Sequence, residues 1–205
     1  MYIYTIIKKR SKVGEFIKLF IDYSISIVCL LLAVPLIILL AIAIKVTGHG
    51  PVIYSQQRIG KNGKPFLMYK FRSMNYIKGE DEPLLSGKYD TRITPVGRFM
   101  RKHKFDEIPN FINVLKGEMS LVGPRPEQQY YVNQIILKAP EYKLLQSVKP
   151  GITSWGQVKY GYASDVGEMI ERLKYDLHYL QNRSLLFDFK VAFFTVGIIF
   201  KGKGV

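Results

Sequence analysis

Cysteine and histidine are scarce in this sequence of 205 residues. A single cysteine, Cys29, excludes an intramolecular disulfide, so nothing argues for an oxidising compartment. The three histidines, His49, His103 and His178, are too scattered to suggest a metal site. The sequence contains neither a Walker P-loop nor a G-x-G-x-x-G motif, which excludes the two common glycine-rich phosphate loops.

Acidic residues are also few. The chain has 16 Asp and Glu against 30 Lys and Arg, which gives a formal net charge of +14. A surface with this excess attracts polyanions such as nucleic acid, anionic lipid head groups or phosphorylated substrates. Charge by itself does not choose among these three kinds of partner.

Charge is absent altogether from residues 23–44. The apolar run "ISIVCLLLAVPLIILLAIAI" would span roughly 30 Å as a helix, which is enough to cross a bilayer. The run is too long for the apolar region of a signal peptide, and the sequence after it is a poor cleavage site. We therefore interpret it as a membrane segment.

The flanks of the apolar run are basic on both sides. Residues 8–18 carry five Lys or Arg, and residues 45–78 carry seven. Both flanks should prefer the cytoplasm, which one straight span cannot satisfy. Pro35 lies near the middle of the run and favours a kink, so a helix that enters and leaves on one face fits both flanks. An ordinary spanning helix with a tolerated proline remains the alternative at this point.

The rest of the chain predicts an α+β domain that is mostly helical. Residues 52–58 and 66–71 are rich in β-forming residues, and Asn62-Gly63 supplies the turn of a hairpin. Residues 76–95 read as an exposed loop. Helices are predicted at 96–102, from Asp106 as N-cap to Gly117, at 127–138 and from a Ser164 cap onward. The tail, residues 184–200, predicts a further helix that is either amphipathic and lies on the membrane or part of the core.

Asp106 and Glu107 are the only acids between Arg92 and Lys116, in a stretch with many basic residues. Two adjacent carboxylates in a basic field can hold Mg²⁺ while the cations bind phosphate oxygens. An ionised carboxylate can also act as a nucleophile. The same pair would equally serve as a helix cap with its usual first-turn acid.

Two further segments could contact phosphate. In "GPRP" the prolines Pro124 and Pro126 fix the backbone around Arg125, whose planar guanidinium suits a phosphate or a base, although a rigid turn with a solvated arginine is the simpler reading. Lys70 and Arg72 are two apart on a predicted strand and should share a face, toward phosphate or toward lipid head groups.

Taken in order, these features resemble one family. They are the basic N-terminus, the apolar run with its proline, "QQRIGKNGKPFLMYKFRSM", "TRITPVGRFMRKHKFDEIPNFINVLKGEMSLVGPRPE" and "KPGITSWGQV". The series resembles the bacterial sugar transferase family, the monotopic polyprenyl-phosphate phosphoglycosyl transferases, from about residue 16 to the C-terminal region. The resemblance implies the minimal catalytic unit, in which residues 1–48 form a basic segment and a re-entrant membrane helix. Residues 49–205 would form a catalytic domain on the cytoplasmic face of the bacterial inner membrane.

The resemblance also implies a mechanism. Asp106 would attack the sugar-bearing phosphorus of a UDP-sugar, release UMP and carry the phosphosugar until undecaprenyl (polyprenyl) phosphate takes it. Glu107 is the dyad partner, and the two would hold Mg²⁺ with the diphosphate. The resemblance links Arg125, within Pro124–Pro126, to the nucleotide end, and it places Lys70, Arg72 and Arg101 near the phosphates. It implies membrane lipids as partners and no nucleic acid, and it leaves the oligomeric state open.

The family's membrane helix is re-entrant, broken near a proline, with both ends cytoplasmic. Many members have Ser-Pro at the break, whereas this chain has Val34-Pro35, so a hydroxyl that could cap the backbone is missing. Two other functions are compatible with the composition: a membrane-anchored module that binds nucleic acid, and a structural protein whose basic face binds lipid. The first predicts that Asp106→Asn leaves binding intact, and the second predicts no dependence on a divalent metal. The sequence does not specify which sugar is transferred.

Overall fold

The structure, a computed structural model, describes residues 7–48, 50–75 and 90–201. Most of the loop predicted at 76–95 therefore lies outside the described residues. Helices and strands follow in the order α1 (Lys12–Val46), β1 (Ile53–Ile59), β2 (Pro65–Phe71), α2 (Pro95–Lys102), α3 (Asn110–Leu115), β3 (Ser120–Val122), α4 (Gln129–Lys138), β4 (Gly151–Thr153), α5 (Trp155–Lys159), α6 (Val166–Gln181) and α7 (Leu185–Phe200). The prediction of a mostly helical α+β fold with a hairpin is confirmed.

Helix α1 contains the apolar run. Ser11 caps it by accepting a hydrogen bond from the backbone N–H of Gly14, and the helix continues through Pro35 to Val46. In the described part of the chain it is the one helix long and apolar enough to cross a membrane. Large apolar side chains in its middle, such as Leu31 and Leu32, are mostly exposed, which is the pattern of a surface that contacts a membrane or another protein.

Both ends of α1 contact the same folded domain. Near the N-terminal end, the carboxylate of Asp22 accepts a hydrogen bond from the hydroxyl of Ser120, which lies 98 positions away, at 2.7 Å. Near the C-terminal end, Leu40 and Ile44 are buried against Phe71 and other apolar side chains. The most exposed part of the helix therefore lies between two points of attachment.

Strands β1 and β2 form the predicted hairpin. They pair antiparallel from Ile53 opposite Phe71 to Ile59 opposite Pro65. The turn is a short 3₁₀ segment in which Asn62 and Gly63 have positive φ angles of 58° and 72°. Asn and Gly tolerate this left-handed backbone best, which explains why the Asn-Gly pair predicted the turn correctly.

Strands β3 and β4 pair parallel and bring two distant segments together. Ser120 lies opposite Gly151 and Val122 opposite Thr153. Gly123 follows β3 and crosses Gly151 so closely that a Cβ on either residue would overlap backbone atoms of the other. This contact fixes the start of the "GPRP" segment.

The main core lies between β3, α4, α5, α6 and α7. Its most deeply buried side chains include Val132, Ile135, Leu173, Leu180 and Val191. Trp155 is also buried here, with its ring 5.2 Å from that of Phe187. Trp155 is therefore a core residue.

Three predicted helix starts are wrong. The helix expected at Asp106 begins only at Asn110, because Asp106 lies in a 3₁₀ turn, Phe105–Glu107. Helix α4 begins at Gln129, which leaves Glu127 outside it. Helix α6 is capped by Asp165 rather than Ser164, although the Ser164 hydroxyl and N–H both donate to the Glu168 carboxylate. The tail forms α7 as predicted.

Candidate active site

Asp106 and Glu107 lie in a tight turn whose neighbouring residues pack against an apolar cluster at the C-terminal end of α1. The turn follows Lys104, which has a left-handed backbone with φ of 60°, and Glu107 N–H donates to Lys104 C=O at 3.2 Å. The neighbours of the dyad, Phe105 and Ile108, pack against the cluster that includes Leu40 and Ile44 of α1. The two carboxylates are thereby placed beside the C-terminal end of the membrane helix.

Two cations from different elements meet on Glu107. Lys70 of β2 donates to Glu107 Oε1 at 2.7 Å. Arg125 donates to the same oxygen from Nη1 at 3.3 Å and from Nη2 at 3.4 Å. A buried carboxylate that carries two charge-assisted contacts is held in one orientation.

The electrostatic environment shifts the pKa values of the two carboxyl groups in opposite directions. Burial raises the pKa of Asp106, an effect that Lys70 opposes and that the neighbouring charge of Glu107 adds to. Burial alone would also raise the pKa of Glu107, but Lys70 and Arg125 hold it well below its usual range. Within the described residues, the Asp106 carboxylate accepts no hydrogen bond, so its oxygens are available for other chemistry.

The "GPRP" loop fixes Arg125 by its backbone. Pro124 C=O accepts from Gly151 N–H at 2.9 Å, and Pro126 C=O accepts from the Arg58 guanidinium at 3.3 Å. Arg125 is 8% exposed, and its guanidinium carbon lies 5.9 Å from the ring centre of Tyr162. Burial would lower the pKa of Arg125, but Glu107 raises it above its ordinary value, so the side chain is a permanent cation.

The predicted site residues Arg72 and Arg101 have different neighbours. The Arg72 guanidinium donates to the C=O groups of Ile44 and Gly48, both at 2.8 Å, at the C-terminal end of α1. Arg101 Nε donates to Ser73 Oγ at 2.9 Å. Arg101 still lowers the pKa of Asp106 through its charge. The structure thus brings Asp106, Glu107, Lys70 and Arg125 together, with Arg101 nearby, and places Arg72 at the end of the membrane helix.

Asp106 and Glu107 could supply only part of the ligand set of a Mg²⁺ ion. Within the described ranges, no group of three or more His, Cys, Asp and Glu residues could hold a metal. Mg²⁺ commonly takes only one or two protein carboxylates, with its remaining positions filled by water and substrate phosphate. Asp106, whose oxygens accept no hydrogen bond from the described residues, and Glu107 offer such a partial set.

The sequence did not predict a buried ion network that Glu127 forms with Arg58 and Arg172. Glu127 is 3% exposed; its Oε2 accepts from Arg58 at 3.0 Å and its Oε1 from Arg172 of α6 at 2.7 Å. Glu127 follows Pro126 directly, and its C=O accepts a hydrogen bond from Ile59 N–H at 2.9 Å. The position of Glu127 directly after "GPRP" was the available signal. Lys104, whose charge lowers the pKa of Asp106, and Tyr162, whose ring lies near Arg125, also belong to the site but were not among the predicted site residues.

Comparison with known proteins places the chain in a family. The family model for "Bacterial sugar transferase" matches residues 13–202. An Aeromonas hydrophila protein named UDP-N-acetylgalactosamine-undecaprenyl-phosphate N-acetylgalactosaminephosphotransferase is 39% identical over 95% of this chain and 46% of its own length. An Escherichia coli protein named UDP-glucose:undecaprenyl-phosphate glucose-1-phosphate transferase is 39% identical over 94% of this chain and 41% of its own length.

A Salmonella typhimurium protein named undecaprenyl-phosphate galactose phosphotransferase is 37% identical over 96% of this chain and 42% of its own length. The chain therefore spans less than half the length of these three curated relatives. Their names specify three different sugars but one lipid acceptor. With a match that covers nearly all of its length, the chain belongs to the bacterial sugar transferase family.

Proposed function

We propose that this chain transfers a sugar 1-phosphate from a UDP-sugar to undecaprenyl phosphate through a phosphosugar bound covalently to Asp106. The observation that carries the proposal is the pairing of Asp106, whose oxygens accept no hydrogen bond from the described residues, with Glu107, which Lys70 and Arg125 hold ionised. One carboxylate is positioned as a fixed charge while the other is free to react. The names of the relatives support the donor and acceptor classes.

In the first step, a carboxylate oxygen of Asp106 attacks the sugar-bearing phosphorus of the donor. A bond forms between that oxygen and phosphorus, and the bond from phosphorus to the bridging oxygen breaks, which releases UMP. Lys70 and Arg125 lie where they can stabilise negative charge on the phosphate oxygens. The permanent charge of Arg125 on a rigid loop suits this role.

In the second step, a phosphate oxygen of undecaprenyl phosphate attacks the same phosphorus. The bond to Asp106 breaks, the carboxylate is regenerated, and the product is an undecaprenyl diphosphate sugar. The nearby cations Lys70, Lys104 and Arg101 all lower the pKa of Asp106 and so oppose the effect of burial. They favour Asp106 as a leaving carboxylate and as the ionised nucleophile of the next cycle.

Asp106 and Glu107 would also hold Mg²⁺ together with the diphosphate of the donor. When bound, the ion supplies positive charge that neutralises the phosphate oxygens. Glu107 is the more strongly ionised ligand because its pKa lies well below its usual range. Asp106 is the ligand that must also remain accessible to phosphorus.

The site belongs at a membrane surface because one substrate is aqueous and the other is a lipid. In this proposal α1 is re-entrant: the Asp22 region and the Leu40–Ile44 region contact one domain, so both ends of the apolar run lie on the same side of the membrane. Helix α7 adds an exposed apolar stripe at helical spacing, formed by Leu186, Phe189, Phe193 and Val196. The site then lies on the cytoplasmic face of the inner membrane.

The proposed activity is tested by UMP release. The purified chain is mixed with undecaprenyl phosphate, Mg²⁺ and a panel of UDP-sugars that includes the glucose, galactose and N-acetylgalactosamine donors. We expect release that depends on one donor and on Mg²⁺ and that falls to background in Asp106→Asn, whose amide is a poor nucleophile. Release that persists undiminished in Asp106→Asn would remove the covalent route.

The re-entrant course of α1 is tested by labelling from the two sides of the membrane. Cys29→Ser removes the native thiol, and single cysteines are then placed at Ser11 and Thr47, which bracket α1. We expect a thiol reagent that cannot cross the membrane to label both positions from the cytoplasmic side of inverted vesicles. Labelling of the two positions from opposite sides would show a spanning helix.

A further inference from the structure

A cavity of about 240 Å³ lies beside the N-terminal turns of α1, whereas the dyad lies beside the C-terminal end of that helix. Its walls come from the first turns of α1, the hairpin turn, strand β3, the segment before β4 and the end of α6. None of the dyad, Lys70 or Arg125 lines it. One water molecule occupies about 30 Å³ of liquid, so the cavity has room for several waters or for one polar group the size of a lipid head group.

The cavity wall has an excess of positive charge. Two acids, Glu15 and Asp22, face five cations: Arg10, Lys18, Lys61, Lys149 and Arg183. Three of these cations are in ion pairs, Arg10 with Asp188 at 2.6 Å, Lys18 with Asp22 at 2.5 Å and Arg183 with Glu15 at 2.9 Å. Lys61 and Lys149 form no ion pair with any described residue.

Lys149 is partly buried at this wall. Its pKa is lowered, chiefly by burial, while Asp22 and Glu15 oppose the shift and Lys61 and Lys18 add to it. Its ammonium group lies beside Gly117, where a Cβ would be 3.6 Å away. An anion in the cavity would supply the countercharge that Lys61 and Lys149 lack.

The two lysines that form no ion pair with described residues indicate the chemistry of a ligand for this cavity. A ligand that offers several acceptor oxygens together with negative charge, as a phosphate does, matches Lys61 and Lys149.

The cavity adjoins the lipid-facing surface of α1. Leu19 is part of its wall, and the neighbouring Phe16 and Phe20 are 70% and 66% exposed. A molecule with a phosphate in the cavity could therefore lay hydrocarbon along these side chains. A free phosphate would gain nothing from that apolar surface.

We propose that this cavity binds the phosphate of an anionic phospholipid head group, such as phosphatidylglycerol, with the acyl chains along the first turns of α1. Basic pockets beside membrane helices on the cytoplasmic side bind anionic head groups in this manner. The inference rests on the proposed membrane placement of α1 but not on the covalent chemistry at Asp106. The bound lipid would join α1 to the hairpin turn through Lys61 and to the segment before β4 through Lys149.

The test measures lipid binding by the full chain in detergent with no substrate present, by native mass spectrometry. The probes are phosphatidylglycerol and the zwitterionic phosphatidylcholine, and the variant is Lys61→Gln/Lys149→Gln. We expect the wild type to prefer phosphatidylglycerol and the variant to bind it about 30-fold more weakly, the loss expected for two basic residues at an anionic surface. The charge-matched control is Lys138→Gln/Lys174→Gln, two exposed lysines outside the cavity, and it should bind as the wild type does.

Three results would overturn the proposal. Equal binding of phosphatidylglycerol by the wild type and the cavity variant would show that the cavity holds water only. Displacement of the lipid by inorganic phosphate at similar concentration would assign the cavity to a soluble phosphate. Displacement by undecaprenyl phosphate in preference would assign it to the acceptor. A Lys149→Arg variant that keeps lipid binding, with an unchanged unfolding temperature in all variants, would separate loss of charge from loss of fold.

Discussion

Lys70 and Glu107 form an ion pair of 2.7 Å that joins strand β2 to the turn bearing Asp106. The next residue on the strand, Phe71, points to the other face and is buried against Leu40 and Ile44 of α1. Two adjacent residues thus fasten the same strand to the reactive carboxylates and to the membrane helix. The relationship explains how the site is held at a fixed position relative to α1.

Replacing Lys70 should therefore impair catalysis. In Lys70→Met, Glu107 keeps only Arg125, and the site loses one cation that faces the phosphates. We expect kcat/KM for UMP release to fall about 100- to 1000-fold, the usual cost of removing one donor to developing charge. Lys116→Met is the control because Lys116 is an exposed cation that donates to Tyr69 of the same strand. A similar loss in both variants would mean that strand charge in general, and not the contact with Glu107, is required.

The buried network of Glu127 should contribute strongly to stability. In Glu127→Gln, Arg58 and Arg172 remain buried without their shared carboxylate. We expect the free energy of unfolding in denaturant to fall by about 3 to 5 kcal/mol. Glu171→Gln is the matched control, because its ion pair with Lys174 is exposed, and it should cost less than about 1 kcal/mol. Equal losses in the two variants would contradict the assignment.

Asp176 should make stability depend on pH. Its Oδ1 accepts from Gly156 N–H at 2.9 Å, and burial raises its pKa to about 6. An unfolded aspartate has a pKa of about 3.9. Between these values the folded state binds the extra proton, so the cost of the buried charge is absent below about pH 4, grows up to about pH 6 and is constant above.

The test of this linkage compares wild type with Asp176→Asn, whose side-chain oxygen can still accept from Gly156. Subtracting the two stabilities removes the titration of the other acids. We expect the variant to gain on the wild type by about 2 kcal/mol between pH 4 and pH 7. A difference that is flat with pH, or one that falls as pH rises, would rule out a raised pKa at Asp176.

The close crossing of Gly123 and Gly151 should be required to position Arg125. A Cβ in Gly151→Ala would overlap the backbone nitrogen of Gly123 and push the "GPRP" loop away from β4. We expect a KM for the UDP-sugar at least about tenfold higher, since small displacements of binding groups are costly. In the control Gly197→Ala, the added Cβ meets nothing within 4 Å in helix α7, so stability should rise slightly with unchanged KM. An unchanged KM in Gly151→Ala would show that the loop does not depend on this crossing.

Local chemistry made the hairpin predictable, and tertiary packing made the turn at Asp106 unpredictable. The Asn62-Gly63 pair specifies its turn by backbone preference alone. At Asp106 the sequence offered a good N-cap, yet Phe105 and Ile108 pack against α1 and hold a 3₁₀ turn instead. The left-handed Lys104 has no sequence signal, because lysine does not favour that conformation.

The candidate site was predictable as a set of residues but not as a set of contacts. Glu107 meets Lys70 across 37 positions and Arg125 across 18, and no periodicity links them. Strand alternation predicted that Lys70 and Arg72 share a face. Because β2 ends at Phe71, the alternation does not extend to Arg72, whose guanidinium contacts the end of α1. The basic cavity could not be predicted from sequence because its walls come from five distant segments.

Intact-mass measurement of the enzyme tests whether the phosphosugar is bound covalently to Asp106. Wild type and Asp106→Asn are mixed with the active UDP-sugar and Mg²⁺ in the absence of undecaprenyl phosphate, quenched, and measured. We expect the wild type to gain the mass of one phosphosugar, which digestion should locate to the peptide containing Asp106. The added mass should be lost when undecaprenyl phosphate is added. The variant should gain none. A wild type that releases UMP only when the acceptor is present, with no adduct at any time, would contradict the two-step mechanism.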